Sequence, residues 1–171
     1  MGRDLEEGLK DSFILDTSAF LSVECVNLLS IIIKEFSIIT TNAVLSELEE
    51  FTNHADTLGN IAKKVIGNKN QLILKNCEIK YQLHHVSKTD EELYNLALFH
   101  DIPLITDDLQ LIHHTKNKIT RAFSTALLTI FVDARMIPKQ TALEKLEKMR
   151  TIRNWQDNII YLSTKEELEK E

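Results

Sequence analysis

SFILDTSAF, residues 12–20, runs three apolar side chains (Phe13, Ile14, Leu15) straight into a carboxylate, Asp16, and then two hydroxyls, Thr17 and Ser18. A short apolar run that ends on turn-forming residues reads as a buried strand. Aspartate is common where strands turn, so an ordinary structural role for Asp16 is at hand. Whether it belongs to a site depends on where the other acids of the chain fall.

The chain has 171 residues, enough for one domain with a sizeable core. It is 43% hydrophobic and 27% charged with only four glycines and two prolines, the composition of a soluble globular protein. So few glycines and prolines leave little room for long irregular loops, and helix is expected to dominate. Cys25 and Cys77 are too few for a disulfide framework or a four-cysteine zinc site, and they point to a reducing compartment. The opening MGRDLEEGLKDS is charged and lacks the apolar core of a signal peptide. No apolar run reaches the roughly 18 residues of a membrane span. A cytoplasmic protein without membrane association is expected. The net charge of -6 argues against coating nucleic acid by bulk electrostatics. It leaves open an enzyme whose acids gather around a metal.

Outward from residues 12–20, Val26, Leu29, Ile32 and Ile33 predict a helix over 23–36, although SIIIKEF alone reads equally as a strand, and FSIIT predicts a second strand. TTNAVLSELEEF reads as a helix capped by Thr41 or Asn42, with Val44, Leu45, Leu48 and Phe51 in one stripe. Leu58, Ile61, Ala62, Val65 and Ile66 mark another helix, ending near Gly67. CEIKYQL alternates as a strand would. In SKTDEELYNLALFHD, Thr89 and Glu92 have capping-box spacing. IPLIT is a further strand and DDLQLIHHTK a short helix. Leu127, Leu128, Phe131 and Ala134 predict a helix stopped by Pro138, Leu143, Leu146 and Met149 another, and STKEELEKE a polar terminal one. Short strands separated by helices imply βαβ units and an α/β domain with a parallel sheet.

In open parallel sheets, ligands bind at the carboxyl ends of the strands. Two expected strands end on acids there, Asp16 on one and Asp107 and Asp108 on the other. Asp90 falls in the first turn of the helix before the second of these strands. Glu47 lies at the edge of the apolar arc of its helix, whereas Glu49 and Glu50 point away from it. Singly, each acid has an ordinary role as turn residue, cap, dipole partner or surface charge. Together, four or five carboxylates at one sheet edge would repel unless a cation sat among them. Oxygen-only ligands suit Mg²⁺ or Mn²⁺, and a metal phosphodiesterase chemistry with an activated water follows.

FILDTSAF, TTNAVLSELEEF and SKTDEELYNLALFHDIPLITDDLQL, in this order and spacing, resemble the PIN domain over roughly residues 12–115. The resemblance implies a Rossmann-like α/β/α sandwich with a short central parallel sheet. It also implies a metal-dependent endoribonuclease that hydrolyses RNA with Mg²⁺ or Mn²⁺. Carried over by motif, Asp16, Glu47, Asp90 and Asp108 are the catalytic acids and metal ligands, with Asp107 adjacent and able to share the fourth role. Thr17, Ser18 and Thr106 match supporting hydroxyl positions. The implied organisation is an N-terminal extension (1–11), a PIN-like domain (12–138) and a helix-rich C-terminal extension (139–171) packed on the same domain. That extension resembles prokaryotic VapC-like toxins of toxin–antitoxin pairs, which implies a cognate antitoxin and a homodimer. RNA-processing PIN nucleases are the other subgroup, and those often carry a zinc ribbon that two cysteines cannot build.

Lys63, Lys64, Lys116, Lys118 and Arg121 are candidate RNA contacts, and His114 stands beside Lys116. The pairs His84-His85 and His113-His114 are poor chelators, because adjacent side chains diverge. A haloacid-dehalogenase-type phosphatase needs an aspartate where Ser18 stands, and a receiver domain needs an acidic pair and a late lysine that are not evident. A non-catalytic PIN-fold module binding RNA or protein is the remaining alternative.

Overall fold

Phe13, Ile14 and Leu15 do form a strand, and it is the central one. In the computed structural model, which describes residues 12–170, β1 (Ser12–Leu15) pairs in parallel with β2 (Ser37–Thr40) on one side and β4 (Leu104–Ile105) on the other. The expected extension over residues 1–11 lies outside the described residues. β3 (Ile73–Leu74) pairs with β2, and β5 (Arg121–Ala122) with β4, each in parallel. The sheet order is β3-β2-β1-β4-β5. Ile14, Leu15, Ile39 and Leu104 are fully buried, as strands covered on both faces require.

The chain winds outward from β1 to β3, then returns to lay β4 on the opposite side of β1. The carboxyl ends of β1 and β4 therefore meet at a topological switch point, where open α/β sheets form their crevice. The connections are helical: α1 (Thr17–Cys25) and α2 (Leu29–Glu35), α3 (Asn42–Phe51) and α4 (Thr57–Gly67), α5 (Lys88–His100), and α6 (Leu109–His114). α7 (Ala126–Asp133), α8 (Lys139–Ile152) and α9 (Ile159–Glu169) follow β5. The result is an α/β fold with a five-stranded parallel sheet flanked by helices, consistent with a Rossmann-like sandwich.

α1 is buried from Ala19 to Cys25 because α3, α4 and α8 all pack on it. Ala142, Leu146 and Met149 of α8 share one apolar core with Phe20, Leu28 and Ile32. At the start of α4, a side chain on Gly59 would meet the His54 carbonyl oxygen at 2.0 Å. Only glycine allows the α3–α4 corner to close so tightly. Among the described residues no single helix is long and apolar enough to cross a membrane. α1 and α2 reach that hydropathy only together, and they meet at 111°.

Several expected boundaries move. The helix expected from Val23 starts at Thr17, because the Asp16 carboxylate accepts the Ala19 N–H and caps α1. It breaks at Asn27, whose φ of 55° puts it in the left-handed region that Asn tolerates. The capping box of α5 is Ser87 with Asp90, not Thr89 with Glu92. α7 ends at Asp133, with Arg135 left-handed at φ 57°, so Pro138 precedes α8 and does not stop α7.

CEIKYQL is not a strand. Residues 75–86 form a long irregular loop along α5, and that helix's side chains take the backbone donors a strand partner would have taken. The Cys77 N–H donates to Glu92, the Leu83 N–H to Glu91, and the Lys80 and Tyr81 N–H groups both to Oδ1 of Asn95. The Asn95 amide nitrogen donates back to the Tyr81 and Glu91 carbonyls.

Candidate functional site

Four elements bring acids to the switch point. Asp16 follows β1, Glu47 sits in the second turn of α3, Asp90 in the first turn of α5, and Asp108 caps α6 just after β4. All four line one cavity of about 190 Å³ together with Thr17, Ser18, Ser87, Thr89 and Leu93. At roughly 30 Å³ per water this is room for about six waters, the scale of a hydrated ion or a phosphate group. A larger depression of about 520 Å³ at Asn154, Gln156, Asp157 and Asn158 holds a single carboxylate and gathers no converging acids.

Asp16 is only 5% exposed and is held from several sides. The Thr106 hydroxyl donates to Oδ2 at 2.5 Å, and the Ala19 N–H to Oδ1 at 2.7 Å. The Ser18 hydroxyl reaches the carboxylate at 2.8 Å. These donors favour the charged form, but burial outweighs them and the Asp107 charge adds to it. The Asp16 carboxyl is pushed up to about 7.

The other acids are each tethered by one oxygen. Thr17 donates to Oε2 of Glu47 at 2.5 Å. The Ser87 hydroxyl donates to Oδ2 of Asp90 at 2.8 Å, and Oδ1 of Asp108 accepts the Gln110 and Leu111 N–H groups. Oε1 of Glu47, Oδ1 of Asp90 and Oδ2 of Asp108 accept no hydrogen bond among the described residues. Burial raises the Asp90 carboxyl above the usual range against its bonds from Ser87, and the charges of Asp108 and Glu47 raise it further. The cavity is thus short of positive charge.

Asp107, the neighbour expected to share the fourth role, does not line the cavity. Its carboxylate accepts the Ser22 and Ser124 hydroxyls at 2.6 and 2.7 Å and the Ser124 N–H at 2.9 Å. Its own N–H donates to Ser18 Oγ at 2.8 Å, so Asp107 braces the hydroxyl that holds Asp16. Of the hydroxyls expected beside the acids, Thr17 donates to Glu47, and Ser18 and Thr106 donate to Asp16. Ser87 and Thr89 are wall residues that the sequence reading did not single out as site residues; the S-x-x-D spacing of Ser87 and Asp90 was the available signal.

The expected basic contacts are elsewhere. None of Lys63, Lys64, Lys116, Lys118 and Arg121 lines the cavity. Lys64 lies 3.9 Å from Glu24, Lys118 sits 5.8 Å from the Tyr94 ring centroid, and Arg121 Nε donates to the Ile112 carbonyl. The His84 and His85 rings stand 6.5 Å apart and those of His113 and His114 5.7 Å apart. Among the described residues no group of three or more His, Cys, Asp or Glu side chains is arranged to hold a metal ion.

Chemically, the cavity offers carboxylate and hydroxyl oxygens alone, with no imidazole or thiolate. Such a donor set suits hard divalent cations and not zinc. No family model matches the chain, and no curated protein matches it.

Proposed function

We propose that the chain is a PIN-type endoribonuclease dependent on Mg²⁺ or Mn²⁺, hydrolysing RNA phosphodiester bonds at the cavity of Asp16, Glu47, Asp90 and Asp108. One observation carries the reading: four carboxylates from four separate elements converge on one cavity at the β1–β4 switch point. The donor set fits the ion. Three uncommitted carboxylate oxygens border the cavity, and Mg²⁺ keeps several waters while taking only one or two carboxylates directly. Among the described residues no group of three such side chains is arranged to hold an ion by itself, which is compatible with water-mediated binding.

When bound, the ion supplies Lewis acidity at the phosphodiester. The chain's own part is positional. Thr106, Ser18 and the Ala19 N–H fix Asp16, Thr17 fixes Glu47, and Ser87 fixes Asp90. Carboxylates held in this way need little reorganisation when charge develops. Buried Leu93 closes one wall with an apolar surface.

Within this class, the toxin of a toxin–antitoxin pair and an RNA-processing nuclease are the two candidate roles. A cognate antitoxin and a homodimer that aligns two cavities belong to the same proposal. A non-catalytic module is the second reading, favoured by the absence of a ready-made chelating group among the described residues. The deciding experiment is cleavage of single-stranded and structured RNA with Mn²⁺ by wild type and Asp16→Asn. Cleavage lost in the variant supports the proposal. Equal cleavage by both identifies a contaminant and ends it, and RNA binding without cleavage selects the module.

A further inference from the structure

We infer that Asp107, the one acid of the five outside the cavity, is a positioning residue for it. Its carboxylate, gripped by Ser22 and Ser124, fixes the amide whose N–H keeps Ser18 aimed at Asp16. What Asp16 does in the cavity rests on the ribonuclease reading, whereas the hydrogen bonds of Asp107 stand apart from it.

A serine hydroxyl has one proton to give. Ser18 Oγ accepts the Asp107 N–H at 2.8 Å, which leaves its proton to the Asp16 carboxylate, whose oxygens lie 2.8 and 2.9 Å away. Thr106 repeats the arrangement, accepting the Asp108 N–H at 3.0 Å and donating to Oδ2 of Asp16. Two successive amides after β4 therefore orient both hydroxyls that hold Asp16. Ser18 lines the cavity beside carboxylates that would compete for its proton. The Asp107 N–H settles that competition.

The Asp107 side chain holds this amide in place. Its Oδ2 accepts the Ser22 hydroxyl at 2.6 Å and the Ser124 hydroxyl at 2.7 Å, and its Oδ1 accepts the Ser124 N–H at 2.9 Å. Ser22 and Ser124 are fully buried. Ser18 and Ser22 lie one turn apart on α1 and share a face of it. Asp107 thus grips α1 twice, by its N–H at Ser18 and by its carboxylate at Ser22. Ser124, between β5 and α7, supplies the third anchor.

The role requires hydrogen-bond geometry and not charge. Three donors occupy the Asp107 carboxylate away from the cavity, whereas Glu47, Asp90 and Asp108 each keep an uncommitted oxygen at its border. A residue that only satisfied two buried serines would leave the cavity indifferent to its loss. One that aims Ser18 would not.

The test compares Asp107→Asn, Asp107→Ala, Ser18→Ala and the double alanine variant in the full chain. The readouts are the Mn²⁺ Kd from thermal midpoints, and kcat and KM for a labelled oligouridine at saturating Mn²⁺. An asparagine accepts the Ser124 N–H and donates to the two serine oxygens, whose protons rotate to suit, so Asp107→Asn should stay within about threefold of wild type. Asp107→Ala should weaken Mn²⁺ binding and lower kcat by about tenfold each, with KM unchanged. Ser18→Ala should lose as much, and the double variant no more than either. Should Asp107→Ala not fold, Ser124→Ala removes one anchor and should show the same split at roughly threefold.

Mn²⁺ binding lost in Asp107→Asn would make the charge a ligand and overturn the positioning role. Losses that multiply in the double variant, or wild-type behaviour in Asp107→Ala and Ser124→Ala, would overturn it too. Mn²⁺ affinities that follow the expected pattern without RNA cleavage by wild type remove the nuclease and keep the positioning. Wild-type cleavage that the alanine variants leave unchanged does the reverse. No Mn²⁺ binding by wild type ends both.

Discussion

Thr106 and Asp16 end neighbouring strands of the sheet, and the buried Thr106 hydroxyl donates to the carboxylate while accepting the Asp108 N–H at 3.0 Å. One side chain thus couples two acids of the cavity. Thr106→Val keeps the shape but strands the Asp108 donor and removes the strongest bond opposing protonation of Asp16. We expect a loss of about 1–3 kcal/mol in urea unfolding, largely restored in Thr106→Ser. A valine variant as stable as wild type would show that the hydroxyl does not matter.

Asp16 sets a pH dependence whose sign is unusual for an aspartate. Its ordinary value is 3.8 and its folded value about 7, so between these the folded state binds the proton and the unfolded state does not. The charged form opposes folding. That penalty is absent below about 4, grows as pH rises, and is complete above about 7. Without metal, Asp16→Asn should therefore be more stable than wild type at alkaline pH, by at most about 4 kcal/mol. The gap should close as pH falls towards 4. Urea unfolding of both proteins in EDTA across that window measures it, and a gap independent of pH would contradict the assignment.

A divalent cation should offset the same penalty. Mn²⁺ at a hundredfold excess over its Kd adds about 2.7 kcal/mol of stability. The thermal midpoint of wild type should rise accordingly and return on chelation. Asp90→Asn with Glu47→Gln, which removes charge but little volume, should abolish the rise. Potassium chloride at matched ionic strength serves as a control for nonspecific charge screening.

Ser87 both caps α5 and holds Asp90. Ser87→Ala should cost about 1 kcal/mol and free the Asp90 carboxylate. If Asp90 is catalytic, turnover should fall by more than the lost stability can explain, while Ser87→Thr retains both roles. Turnover unchanged in the alanine variant would separate cap from chemistry.

Asn95 anchors the loop of residues 75–86 through both ends of its amide. Asn95→Asp keeps the acceptor but turns a carboxylate oxygen towards the Tyr81 and Glu91 carbonyls. It should cost about 2 kcal/mol or more, and amide exchange should quicken first at Lys80 and Tyr81. Uniform quickening across the chain would instead mean global destabilisation.

The acids were legible because each stood beside a periodic pattern: Asp16 after an apolar run, Glu47 at the edge of a stripe, Asp90 in a helix start. Their distribution between roles was not. Asp107 and Asp108 are adjacent, and only the Ser22 and Ser124 hydroxyls, distant in sequence, turn Asp107 away from the cavity. The break at Asn27 was hidden because apolar residues continue on both sides of it. β3 and β5 have two residues each, too short for a pattern to register. CEIKYQL misled because its backbone partners are side chains of a helix that comes later in the chain. Ser87–Asp90 and Thr89–Glu92 share one spacing, and only the extended backbone at Ser87 decides between them.

The separation along the chain between Asp16 and Thr106 has a consequence in time. Their bond spans 90 residues, whereas that of Thr17 and Glu47 spans 30. During synthesis at roughly 5–20 residues per second, the two ends of the longer span appear on the order of ten seconds apart. A nascent chain with its first two strands already displays Asp16 and Glu47 but has no opposing wall. Whatever the cavity does, it starts only after β4 has left the ribosome and zipped against β1.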